Sequence, residues 1–315
     1  MKLGLPKPFF VLAPMDDVTD TVFRQVVADT ARPDLFFTEF VNVDGLQSPG
    51  RPKLLHKLLL AEKEKPVIAQ LWGLNPENFY KTTKDVMQMG FAGVDLNFGC
   101  PVKTVVKNGA CAAMIKTPER AGEIIDAVKK AVGKEFLVSV KTRVGYSNVD
   151  MGWPEFLLNK KLNMLTIHGR TAVQMSKVPA DWDLIGQVRE LRDSLSSDTL
   201  IIGNGDVDSR SMGEALAAKY KLDGVMVGRG VFNDPLLFSA SSSWQDWTPP
   251  QKLELFKKHI ALHIQTYVNG ERRFETLRKF CKVYINGFDG AHELRARFME
   301  TNSPEEALAL LDSSL

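Results

Sequence analysis

Short apolar and β-branched runs recur along the chain, and each stops at Gly, Asn or Pro. They are PFFVLAPM (8–15), LFFTEF (35–40), PVIAQLWG (66–73), GVDLNFG (93–99), FLVSVKTRVG (136–145), MLTIHGR (164–170), TLIIGNGDV (199–207) and GVMVGRG (224–230). Runs of this length and composition predict eight strands. Most of the intervening segments carry apolar residues at helical spacing. After Thr117-Pro118, a cap and first-turn pair, Ala121, Ile124, Ile125, Ala127 and Val128 fall on one face. Nearly continuous apolar strands alternating with amphipathic helices imply a parallel sheet covered by helices. Eight such units in about 230 residues fit a closed (β/α)8 barrel of the α/β class, with a doubly wound open sheet as the alternative.

The polar residues favour the barrel. Met15, Glu39, Gln70, Asn97, Lys141, Arg143, His168, Arg170, Asn204 and Arg229 all fall at or near the carboxyl ends of these runs. In a closed barrel those ends meet at one mouth, where catalytic groups are placed. A lone Gln or Asn there can be a loop cap, but Lys141 and His168 are costly to bury unpaired. Strands seven and eight end in Gly203-Asn204-Gly205-Asp206 and Gly228-Arg229-Gly230, glycine turns of the kind that let backbone N–H groups approach a phosphate. Arg229 adds a charged donor. No GxGxxG follows the first strand, so a mononucleotide fits better than a dinucleotide. With FMN as that mononucleotide, its ring lies over Pro14 and Met15. Gln70, Lys141 and His168 border its edge, and Asn204, Gly205, Asp206, Gly228 and Arg229 surround its phosphate.

Composition changes this picture little. The chain has 315 residues, 44% hydrophobic and 25% charged, with a formal net charge of +2, ordinary values for a globular protein. The N-terminal apolar stretch is short, holds two prolines and runs into Asp16-Asp17, so it reads as a strand rather than a signal peptide. No run approaches the roughly 18 apolar residues of a membrane span. Cys100, Cys111 and Cys281 form no CxxC pair, which argues against structural zinc and a disulfide framework. A cytoplasmic, metal-free and monomeric protein is the expectation.

Charge does change the picture after residue 240. A Ser- and Pro-rich linker leads into KLELFKKHIALHIQTYVNG, an amphipathic helix with Thr248 and two prolines at its start. Between 251 and 282, eight basic residues face three acids. The run is either a solvated face or a polyanion-binding surface. The expected division is a barrel over 1–240 and a smaller all-helical domain over 241–315.

The set APMDDVTD (13–20), FTEFV (37–41), DLNFGCPVKTV (95–105), VSVKTRVG (138–145), TIHGRT (166–171), ADW (180–182), GNGDV (203–207) and GVMVGRG (224–230) resembles the tRNA-dihydrouridine synthase family. That family reduces the C5–C6 bond of uridines in tRNA with FMN, itself reduced by NADPH, and carries a C-terminal helical tRNA-binding domain. By position, the resemblance implies that Cys100 is the proton donor. Asn97, Arg143 and Arg170 become contacts to the substrate and Lys141 and His168 contacts to the flavin, while Arg272, Arg273 and Lys279 of the basic run are the expected contacts to tRNA. Two departures stand out. Gln174 is followed two residues later by Ser176 where the family has an aromatic residue, and Cys111 sits where Gly or Ala is commoner, so Cys111 is assigned no chemistry. Two other readings remain open: a flavin-dependent dehydrogenase of a free pyrimidine such as dihydroorotate, and a non-catalytic RNA-binding protein with a relic barrel. The first leaves the basic tail without a use, and the second predicts loss of Cys100 or of the glycine turns.

Overall fold

The computed structural model describes residues 4–133 and 136–314. Nine parallel strands are found among them: β1 (Phe9–Leu12), β2 (Leu35–Phe37), β3 (Val41–Asn42), β4 (Val67–Trp72), β5 (Gly93–Phe98), β6 (Leu137–Arg143), β7 (Met164–His168), β8 (Leu200–Asn204) and β9 (Gly224–Val227). Each barrel strand pairs with its neighbours, β9 pairs with β1, and β2 pairs with β4, which closes an eight-stranded ring. The open doubly wound sheet is thereby excluded. The second predicted run (35–40) is regular strand only to Phe37, and the extra strand, β3, follows just beyond it. The run's last residues leave the ring, and Val41 and Asn42 rejoin it against Leu71 and Trp72.

Side chains alternate between the two faces of a strand, so each barrel strand has an inner and an outer set. The lower interior is apolar, a cluster of Phe9, Val11, Leu35, Phe37, Ile68, Met164, Ile202 and Met226. Above it the inner positions turn polar. The register sets Gln70 beside Asp95 and Asp95 beside Ser139, then Asn97 beside Lys141 and Lys141 beside Thr166, then Arg143 beside His168 and His168 beside Asn204. The outer residues, including Phe10, Leu12, Val94, Leu96, Val140 and Ile167, pack under the helices. The helix Pro118–Val132 contributes Ala121, Ile124, Ile125 and Val128 to that layer, as its spacing predicts. Pro118 occupies its first turn and Gly133, at φ +63°, ends it.

The C-terminal segment is helical, with Pro249–Thr266, Cys281–Tyr284, Ala291–Glu300 and Pro304–Asp312. Its first helix opens with a capping box in which Gln251 accepts from the Thr248 N–H at 2.8 Å. These helices are continuous with the outer core of the barrel. Phe280 stacks on Phe23 of helix Thr21–Thr30 at 5.0 Å between ring centres, a contact of about 0.5–1.5 kcal/mol beyond its buried area. Tyr267 donates from its hydroxyl to Asp20, the residue that caps the same helix.

Candidate active site

The carboxyl ends of β1, β6, β7, β8 and β9 surround a cavity of about 530 Å³. Nine of the ten residues expected at a cofactor line it: Pro14 and Met15 after β1, Lys141 and His168 inside, and Asn204, Gly205, Asp206, Gly228 and Arg229 on the last two turns. A larger hollow of about 780 Å³ opens at the opposite end of the barrel and includes none of them.

The glycine turns have separate local reasons. Gly205 has φ +134°, and a Cβ there would stand 2.5 Å from the Cβ of Ala180, so no side chain fits. A Cβ at Gly228 would meet only Ala13 and Met15, both at 3.7 Å, and would occupy space on the cavity side. Asp206, at φ +52°, salt-bridges Arg170 and accepts from the Ala180 N–H at 2.8 Å. It therefore braces the turn instead of facing a phosphate, while Arg229, at 3.7 Å from Asp206, is mostly exposed and free to reach one.

The cavity is electropositive. Among the described residues Lys141 has no hydrogen-bond or ion-pair partner for its ammonium group. Burial first, and then Arg143, lower its pKa to about 8. Burial holds the His168 imidazole far below its usual range, with Lys141, Arg143, Arg170 and Arg229 adding to the effect, so the ring is neutral. Arg170 Nη1 lies 3.0 Å from His168 Nε2. A guanidinium only donates, so Nε2 accepts and the proton resides on Nδ1. Thr166, next to Lys141 in the register, has a buried hydroxyl without a partner among the described residues. An unpaired cation, a neutral donor imidazole, an open glycine turn and an orphan hydroxyl suit an anionic, hydrogen-bonding cofactor such as FMN.

Cys100 stands where β5 gives way to its loop, half-buried. Asn97 fixes the turn: its Oδ1 accepts from the N–H groups of Gly99 and Cys100 at 3.1 and 3.0 Å. The thiol is more acidic than a free cysteine, lowered to about 7, chiefly by a hydrogen bond from Cys111. Cys111 shows the converse, raised by the same hydrogen bond and by burial. Cys111 sits at φ +53°, a conformation that suits glycine, in keeping with the Gly or Ala commoner at this position.

Four other expected site residues are engaged by partners within the protein. Gln70 does not line the cavity. It is fully buried one layer lower, with Nε2 donating to Asp95 at 2.7 Å and Oε1 accepting from Asn97 at 3.0 Å. Arg143 donates to the carbonyls of Gly99 (2.8 Å), Thr171 and Met175 (both 3.0 Å), so three of its N–H groups tie loops together. Arg170 is spent on Asp206, His168 and the Val178 carbonyl. Arg272 is not a surface cation at all. It is buried, with Glu39 at 2.9 Å, Asp20 at 3.3 Å and Asp17 at 3.5 Å. Glu39 is also fully buried, and its pKa is raised by burial against the pull of Arg272 and Lys57. Asp16, Asp17 and Glu39 cluster within 4.8 Å, and Arg272 and Lys57 supply the positive charge there.

The basic tail thus divides. Lys252 is buried over the Trp244 ring, Lys257 pairs with Glu254 and Asp312, and Arg278 donates to the Thr301 carbonyl. Arg273, Lys258, Lys282 and Lys279 are exposed, and Lys279 also reaches the Asp17 carbonyl at 2.9 Å.

Comparison with known proteins agrees with the motifs. The dihydrouridine synthase family model matches residues 11–315. A probable tRNA-dihydrouridine synthase of Staphylococcus aureus (strain COL) is 44% identical over 311 residues, 98% of this chain and 93% of that protein. The probable tRNA-dihydrouridine synthase 2 of Bacillus subtilis (strain 168) is 43% identical over 311 residues, 98% of this chain and 94% of that protein. Among solved structures, histamine dehydrogenase from Rhizobium sp. 4-9 superposes with a TM-score of 0.58 at 12% identity, over 83% of this chain and 50% of that one. That similarity concerns the fold alone.

Proposed function

The chain belongs to the dihydrouridine synthase family, and we propose that it reduces the C5–C6 bond of uridines in tRNA, with FMN in the mouth cavity and NADPH as reductant. The observation that carries this reading is the Cys100 loop, its backbone N–H held by Asn97 at the carboxyl end of β5, at the same barrel mouth as a cavity lined by a neutral imidazole and an unpaired lysine. When bound, the flavin supplies a hydride to C6 of the base. Arg229 and the Gly228 turn would hold its phosphate, Pro14 and Met15 its flat face. Lys141 and the Nδ1–H of His168 would bind electron-rich atoms at its edge, where positive charge favours the reduced anion.

Cys100 gives the proton to C5. The hydrogen bond from Cys111 strengthens as the thiolate forms, so Cys111 stabilises the charge left after transfer. Arg170, bound to Val178, His168 and Asp206, holds the wall around the base, while Arg143 braces the loops through Nε and Nη1 and keeps Nη2 to donate to it. The base must leave its stack to reach this mouth, at a cost of a few kcal/mol. The exposed Arg273, Lys279, Lys258 and Lys282 offer phosphate contacts that offset it, and the helical tail serves as the RNA-binding part. Three free thiols agree with the reducing cytoplasm, where tRNA resides.

Incubating the purified protein with FMN, NADPH and an unmodified tRNA transcript, then mapping dihydrouridine by mass spectrometry, tests the proposal. Turnover of dihydroorotate or free uridine with no dihydrouridine in tRNA would sink it.

A further inference from the structure

Beneath the mouth lies a chain of buried polar side chains that the proposed reaction does not itself use. Asp95 is fully buried inside the barrel. Its Oδ1 accepts from the Ser139 hydroxyl at 2.6 Å, and its Oδ2 accepts from Gln70 Nε2 at 2.7 Å. Gln70 Oε1 accepts from Asn97 Nδ2 at 3.0 Å, and Asn97 Oδ1 accepts from the Gly99 and Cys100 N–H groups. Each link fixes the direction of the next. An amide has one donor end and one acceptor end. Because Asp95 offers Gln70 an acceptor, Gln70 must turn its oxygen to Asn97, and Asn97 must turn its own oxygen to the loop that bears the thiol.

We propose that Asp95 is a positioning residue for Cys100: acting through the amides of Gln70 and Asn97, it sets the orientation of the loop that carries the thiol. The register makes this possible, since Gln70 and Asp95 are direct cross-strand partners and Asp95 and Asn97 share the inner face of β5. Reversal of Asn97 would bring its NH2 group against two N–H donors and push the loop away. A displacement of about 1 Å in a reacting group can cost on the order of 100-fold in rate.

The inference rests on Cys100 being the acid of the proposed reaction, so its test has two independent readouts. One is single-turnover oxidation of prereduced holoenzyme by unmodified tRNA. The other is the rate of Cys100 alkylation by iodoacetamide against pH, followed by peptide mass spectrometry without tRNA. Asp95→Leu, which offers no acceptor, should slow reoxidation by about 10- to 100-fold and change the alkylation profile. Asp95→Asn should restore both, because its oxygen can face Gln70 while its NH2 faces the Ser139 hydroxyl.

The direction of the chain is tested by a swap, which also serves if Asp95→Leu fails to fold. Asn97→Asp alone places a carboxylate against Gln70 Oε1 and should be as slow as Asp95→Leu. Combined with Asp95→Asn, it lets Gln70 turn over and reconnects the chain in reverse, so reoxidation should recover at least about fivefold over Asn97→Asp, with a wild-type-like alkylation profile. Wild-type values in both readouts for folded Asp95→Leu, or no recovery in the double variant, would overturn the proposal. A wild-type protein that forms no dihydrouridine would refute the function instead, and the alkylation readout would still decide the role of Asp95.

Discussion

Removal of the Cys111 thiol separates the acidity of Cys100 from its position. In the native protein the Cys100 thiol is lowered to about 7, with the Cys111 hydrogen bond as the first cause and burial opposing it. Cys111→Ala deletes that donor and leaves Asn97 and the loop in place, so Cys100 should rise toward the ordinary thiol value of 9.0. A general acid works only when protonated, so the rate of tRNA-dependent reoxidation falls as pH rises through the thiol pKa. For the native protein the fall is centred near pH 7, and in the variant it should move toward pH 9. A weaker acid also transfers its proton more slowly. If about half of the change in acidity appears in the rate, the variant should be about 10-fold slower at pH 6 and faster than the native protein above about pH 8. The two profiles therefore cross. Cys111→Ser, which retains an O–H donor, should keep the fall near neutrality. Single-turnover reoxidation between pH 6 and 9.5, with flavin reduction measured separately, gives the profiles. An unchanged midpoint in Cys111→Ala would show that Cys111 does not tune the acid.

Cys100→Ala should retain flavin and its reduction by NADPH but lose about 10²- to 10⁴-fold in uridine reduction, read by single-turnover reoxidation. Arg272→Ala should leave Glu39 with only Lys57, at 3.8 Å, as its cation and destabilise the protein by about 3 kcal/mol, read by urea unfolding. Charge reversal at Arg273 and Lys279 should weaken tRNA binding and flatten its dependence on salt while leaving NADPH oxidation intact, checked by binding titrations at several salt concentrations. Gly228→Ala, whose methyl group would enter the cavity, should weaken FMN retention with little effect on Tm, measured by equilibrium dialysis and thermal unfolding.

The barrel is legible because its signal is local. Each strand is a short apolar run ended by a turn residue, and a parallel sheet buries both faces of such runs. The mouth is legible for the same reason: positions at a strand end are countable, and His168 and Asn204 end β7 and β8, Lys141 is one inner position before the end of β6, and Arg229 lies two residues beyond β9, all reaching the cavity. Gln70 shows where counting stops. It lies on the inner face of its strand, as Lys141 and His168 do, but the stagger of neighbouring strands sets its depth, and no residue of β4 encodes that stagger. One layer lower, the same amide turns from a ligand contact into a link between two side chains.

Arg272 marks the other boundary. In the sequence it belongs to a dense basic run, and such a run reads as a solvated or RNA-facing surface. Its carboxylate partners lie more than 230 positions earlier in the chain, as the 2.9 Å pair with Glu39 shows. A buried carboxylate without a cation is costly, and a buried guanidinium without a carboxylate equally so; together they are tolerable and hold the tail to the barrel. Glu39 was visible as a charged residue at a strand end and Arg272 as a charged residue in a helix-rich tail, each anomalous if buried alone. When one half of a chain presents an acid at an inner strand end and the other a basic run, part of that run can be the counter-charge. In this protein that condition reduces the exposed cations of the 251–282 run from eight to four, Lys258, Arg273, Lys279 and Lys282.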